Sequence, residues 1–214
     1  MKNRKVDSKW RYFYAFVSAI CLFLIGFYIV FLINYIEFNK ASVLQEKGFY
    51  DFYSNQLNYS FFGEMKCDKQ FLDKISSSMD FQGFLINQLE LKKGKENKEV
   101  IDKKKYYYLL ELSHLSFVKQ LNQDCNWGYN FILFLYSNSM GDRAKSEEIG
   151  RILDYVKEKD SNVLIYSFDS SSQDSIVQNL KSFYNITEPI TIIINENYSL
   201  NSVKDANQIL SLLK

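Results

Sequence analysis

The chain has 214 residues, with 26 Lys and Arg against 25 Asp and Glu and a formal charge of +1 at pH 7. Such a balance argues against nucleic acid as a partner, because phosphate binding needs clustered Lys and Arg. The apolar fraction of 47% leaves ample material for a real core.

Charge is unevenly spread. Residues 1–11 carry Lys2, Arg4, Lys5, Lys9 and Arg11 against Asp7 alone. Residues 12–36, "YFYAFVSAICLFLIGFYIVFLINYI", carry none. At ~1.5 Å per helical residue this run exceeds the ~30 Å hydrocarbon core of a bilayer. Tyr12, Tyr14 and Tyr35 stand near its ends, as in an aromatic belt. A cleaved signal peptide has a shorter apolar core and a small-residue site just after it. Here the nearest such site, at Ala41, lies beyond Glu37 and Lys40. The run reads as an uncleaved signal anchor embedded in membrane lipid. The positive-inside rule places residues 1–11 in the cytoplasm and 37–214 outside.

Residues 37–126 read as a helical extracytoplasmic segment. The first helix continues from the span to about Phe61, and "FFGEMKCD" breaks it. A second covers about 67–91, with an interruption expected at "SSSMDFQGF". "KKGKENK" (92–98) is a solvated connector, charged and without apolar periodicity. A third helix over about 102–124 sets Tyr107, Leu110, His114, Phe117, Val118 and Leu121 on one face.

The pattern changes at residue 127. "FILFLYS" is a continuous apolar run of strand length, as in a buried strand. "DRAKSEEIGRILDYVKEKD" follows as an amphipathic helix with Ile149, Ile152, Leu153 and Val156 inward and Asp142 as its cap. "NVLIYSFD" is a second strand. The next segment is a helix presenting Ile176, Val177, Leu180 and Phe183. "ITIIIN", "NEN" and "YSL" make a strand, a tight turn and a short strand. A last helix uses Val203, Ala206, Ile209, Leu210 and Leu213. The order β-α-β-α-β-β-α predicts an α/β fold. The first two strands are parallel through a right-handed crossover, the last two form an antiparallel hairpin, and helices flank the mixed four-stranded sheet. The expected organisation is tail 1–11, span 12–36, helical segment 37–126 and α/β domain 127–214.

That order, with "FYNITEPITIIIN" ahead of the third strand, resembles the thioredoxin-like superfamily over about residues 126–214. The resemblance implies that Pro189, the sole proline, follows a cis bond and faces the start of the helix after the first strand. The family's redox chemistry needs Cys-x-x-Cys at that helix start, where the helix terminus lowers a thiol's pKa. "YSNSMGDRAKSEE" contains no cysteine there; Met140, Asp142 and Arg143 stand near the thiol positions. The activity therefore does not carry over. The resemblance leaves a fold and a peptide-contact surface, with Glu188 ahead of the proline and Ser139, Met140 and Gly141 opposite.

Of three cysteines, Cys21 falls in the apolar run. Cys67 and Cys125 fall outside it, at ends that two antiparallel helices would bring together. A structural disulfide, two free thiols and a redox-active pair all remain open. His114, the single histidine, sits on an apolar stripe and reads as a core residue. No nucleophile-elbow, Walker, Rossmann or zincin pattern occurs, so no catalytic, cofactor or metal residue is assigned. Asn58, Asn185 and Asn197 match the glycosylation acceptor pattern. The expected function is a membrane-anchored, non-catalytic module that holds an envelope protein or extended peptide. The alternatives are a thiol–disulfide oxidoreductase using Cys67 and Cys125, and a purely structural envelope protein.

Overall fold

A computed structural model describes residues 8–62 and 67–213. Residues 1–7 of the basic tail and 63–66 of the expected break lie outside the described residues. The chain divides into two compact units, Met1–Lys47 and Gly48–Lys214.

The first unit is helical. It holds the beginning of helix α1 (Ser8–Phe62), in which Trp10–Ile33 is long and apolar enough to cross a membrane. None of that segment is buried. Phe16, Leu22, Phe23 and Phe27 are among its well-exposed side chains, an arrangement suited to lipid rather than water.

The second unit contains the end of α1, then α2 (Lys69–Lys93), α3 (Lys98–Cys125), β1 (Asn130–Tyr136), α4 (Arg143–Lys159) and β2 (Val163–Asp169). It continues through α5 (Ser175–Phe183), β3 (Thr191–Ile194), β4 (Tyr198–Leu200) and α6 (Ala206–Leu210). The sheet order is β2-β1-β3-β4, with β1 and β2 parallel and the other neighbours antiparallel. Alternate residues of β1 feed opposite faces, the period-two rule of a strand. Phe131, Leu133 and Leu135 join α3, α5 and the α2 residues Leu72 and Ile75 in one core. Ile132 and Phe134 join Ile149, Leu153 and Val156 of α4 and Ile209 of α6 in the other. Both faces are covered, which is why "FILFLY" is apolar throughout instead of alternating.

Several expectations change in detail. Helix α2 runs without interruption. Gly83 marks a close approach instead: a Cβ there would stand 2.7 Å from the Tyr107 hydroxyl of α3. Asp142 does not cap α4, because its carboxylate accepts from Ser139 Oγ at 2.7 Å. Asp68, Asn97 and Asp174 cap α2, α3 and α5 through backbone N–H groups. Phe183, expected inward, is 75% exposed, because α5 turns its Val177 and Leu180 to the core. The last helix is short, and residues beyond Leu210 pack without helical continuity.

The bond preceding Pro189 is trans, against the cis form that the resemblance implied; no cis peptide occurs among the described residues. Even a tertiary amide favours trans, and here the Pro189 carbonyl is fixed as the acceptor of Ser170 Oγ at 2.6 Å. Asn195 and Glu196, both at positive φ, lie in the three-residue connection from β3 to β4, in which Asn197 N–H donates to the Ile194 carbonyl at 3.0 Å.

Candidate functional site

The carboxyl ends of β1 and β2 open into a cleft of ≈ 680 Å³. Ligands in open α/β sheets bind at this end of parallel strands, where loops and helix starts converge. The walls come from the α2–α3 connector (Lys95, Glu96), from α3 (Lys104, Lys105, Tyr108), from the start of α4 (Arg143) and from the segment 171–175.

The floor is an ordered polar network. Lys104, 5% exposed, forms ion pairs with Glu90 and with Asp169, the latter at 3.5 Å. Its ammonium also lies 5.5 Å from the Tyr136 ring centroid. Burial opposes its charge, but Tyr108, Glu90 and Asp169 together hold its pKa above the ordinary lysine value. Asp169 Oδ2 accepts from Asn138 Nδ2 at 2.6 Å, and Oδ1 accepts from Ser171 N–H and Oγ. Asn138 Oδ1 in turn accepts from Lys95 Nζ at 2.9 Å. The chain of contacts runs from the connector through β1 to β2, so the cleft floor is positioned before any ligand arrives.

Behind the floor, α3 meets the outer flank of β2. Ser170 N–H donates to Tyr136 of β1, so the even-numbered residues of β2 turn toward β1 and the odd-numbered ones outward. Two outward amides are taken up by side chains: Ser167 N–H donates to Glu111 Oε1 at 2.8 Å, and Asp169 N–H to the Tyr108 hydroxyl at 3.3 Å. Burial pushes the Glu111 carboxyl well above the ordinary range, against the lowering pull of the Ser167 N–H and the Tyr107 hydroxyl. His114, fully buried, bridges Ser76 of α2 through Nε2 at 3.1 Å and the Tyr166 hydroxyl of β2 through Nδ1 at 2.8 Å. Burial, with Lys157 nearby, lowers its pKa to about 4.

Of the residues expected to form the peptide-contact surface, Ser139 lines the cleft. Met140, in the same loop, is 98% exposed. Gly141 and Glu188 are also exposed, and the Glu188 carbonyl accepts from Thr191 Oγ1 at 3.5 Å. Cys67 and Cys125 form a disulfide, with Cα atoms 5.3 Å apart. The bridge sits before the start of β1, whereas Pro189 leads into Thr191, which pairs with Leu135 near the far end of β1. Roughly 17 Å of strand separates the two ends. Lys104, Tyr108, Glu111, Asn138 and Asp169 escape a reading by motif. Their signal is polarity in apolar company: Lys104, Tyr108 and Glu111 repeat at helical spacing beside the inward stripe of α3.

The chain was compared with models of known families, with curated proteins and with solved structures, and nothing matches in any of the three.

Proposed function

We propose that this chain is a membrane-anchored, extracytoplasmic thioredoxin-like module that binds an extended peptide or envelope protein without covalent chemistry. In this reading α1 anchors it through residues 12–36 with the basic tail in the cytoplasm. The observation that carries the reading is the sheet. Its order β2-β1-β3-β4, with a parallel first pair and an antiparallel final hairpin, agrees with the arrangement in the thioredoxin-like superfamily. In it, α4 begins beside the open cleft where that family's thiols would stand. At this helix start the sequence supplies Ser139, Met140, Asp142 and Arg143, none of which can exchange a disulfide. What the cleft offers is hydrogen-bonding and ionic groups on a fixed floor, together with a fully exposed methionine. These are the parts of a recognition surface.

A photo-crosslinking amino acid placed at Met140 or Arg143, in the intact membrane protein, tests this directly. Discrete adducts with envelope proteins are expected from both positions, and none from Tyr155, an exposed position on α4 outside the cleft. Equal labelling from all three positions, or none, would remove the binding role.

One observation favours a second reading. Cys67 is exposed, so an external thiolate can reach its bridge. Reduction of insulin by the purified chain at a rate that depends on Cys67 and Cys125 would establish the oxidoreductase instead.

A further inference from the structure

The turn between α2 and α3 lends Lys95 and Glu96 to the cleft wall, and its other exposed side chains lie outside the cleft. Between Lys92 and Lys98 stand four lysines and one acid, Glu96, with Lys93 paired to Glu99 just beyond. Leu91, immediately before them, is 73% exposed. About two and three turns further back lie Phe84 and Phe81, 54% and 45% exposed, their rings stacked at 6.5 Å. Phe84 and Leu91 are seven residues apart and so share one side of α2. Apolar side chains left open beside a lysine cluster match the polar–apolar boundary of an anionic bilayer, where phosphate headgroups meet lysine and acyl chains meet leucine and phenylalanine.

The path of the chain points the same way. Within the second unit, Phe49 packs edge-on to Tyr106, Phe52 lies against His114, and Tyr53 bonds Ser113 at 3.0 Å. Rising numbers in α1 thus meet rising numbers in α3, so this end of α1 runs parallel to α3. Its leading residue, Gly48, therefore lies toward the beginning of α3, on the side of the lysine turn. Residues 34–47 connect Gly48 to the end of the apolar segment at Ile33. Fully extended, they reach at most ~50 Å. The tether keeps the turn at high effective concentration over the bilayer that holds the anchor.

We infer that the α2–α3 turn, through Leu91, Lys92 and Lys98 with Phe84 behind them, docks on the anionic headgroup surface of the chain's own membrane. Docking there leaves the cleft residues of α4 and of 171–175 to face a partner. The inference does not depend on what the cleft binds.

Hydrogen–deuterium exchange of the full chain in lipid nanodiscs tests it. Backbone amides of residues 88–98 should exchange at least fivefold more slowly in discs with one third anionic phospholipid than in purely zwitterionic discs. The protection should vanish in 0.5 M salt, where screening is short-ranged. Two exposed-site variants, Leu91→Asp and Lys92→Glu/Lys98→Glu, should each lose it while keeping wild-type exchange in α4 and β1, the sign of an intact fold. Equal exchange in both disc types overturns the inference. So does protection that appears in detergent and rises with protein concentration, since that marks a second copy on the same face.

Discussion

Acidification should weaken this fold through one side chain. His114 is wholly buried between Ser76, Tyr166 and Phe52. Its pKa is lowered to about 4 from an ordinary 6.5, by burial first and by Lys157 second. In the unfolded chain the imidazole takes up a proton once the pH drops below about 6.5, whereas in the folded chain it resists until about 4. The stability this neutral histidine supplies is therefore complete above pH 6.5 and is lost as the pH falls through that window. At ~1.4 kcal/mol per pH unit, the full loss comes to roughly 3 kcal/mol. Urea unfolding of the detergent-solubilised full chain, followed by near-ultraviolet dichroism at intervals from pH 7.5 to 4, gives the slope. His114→Gln, which keeps a polar contact with Ser76 and cannot ionise, should flatten it by about that amount. Because the chain has one histidine, its imidazole resonance also reports the protonation directly. If wild type and variant lose stability in parallel, or if the imidazole titrates near 6.5, the buried-neutral account of this residue is wrong.

Other outcomes follow from the same packing. Cys125→Ser opens a loop spanning 58 residues and should cost about 4 kcal/mol in the loop-entropy description, read as a lowered urea midpoint. A midpoint unchanged by the substitution would deny the bridge a structural part. Glu111→Gln preserves an acceptor for Ser167 N–H and should be nearly neutral at pH 4, whereas Glu111→Ala should cost about 2 kcal/mol. Because the folded carboxyl is held well above its ordinary value, wild type should lose ground to Glu111→Gln as the pH rises above about 4.5. A pH-independent difference between the two would show an ionised Glu111. Lys104→Met leaves Glu90 and Asp169 without their shared cation and should cost about 3–5 kcal/mol in thermal unfolding. A loss under 1 kcal/mol would mean that the buried ion pairs do not form.

Much of the architecture was readable from periodicity. The run "FILFLYS" has no polar residue until its end because β1 is an interior strand with a core on both faces. Ile149, Leu153 and Val156 fall at helical spacing because α4 has one buried side. Glycine and proline were read less well, since each answers to partners far away in sequence. Gly83 looked like a break, but it is where the Tyr107 hydroxyl approaches α2. The bond before Pro189 is trans where the resemblance implies cis, and no spacing in the sequence marks which isomer the fold selects. The cleft floor was hidden for a related reason. Lys104, Asn138 and Asp169 are far apart along the chain, and none stands in a spacing that announces chemistry. Only the crossover from β1 to β2, with α3 laid across it, brings them together.

The side chains of Glu111 and Tyr108 that occupy the outer amides of β2 have a colligative consequence. Proteins confined to two dimensions meet one another far more often than in solution, and an open strand flank under such crowding is a seed for zippering into ribbons. Here that flank is plugged by a carboxyl and a phenol from within the same molecule. The opposite flank, β4, is three residues long and too brief a template for a stable ladder. Neither flank of the sheet therefore offers a long open edge for a second copy to extend.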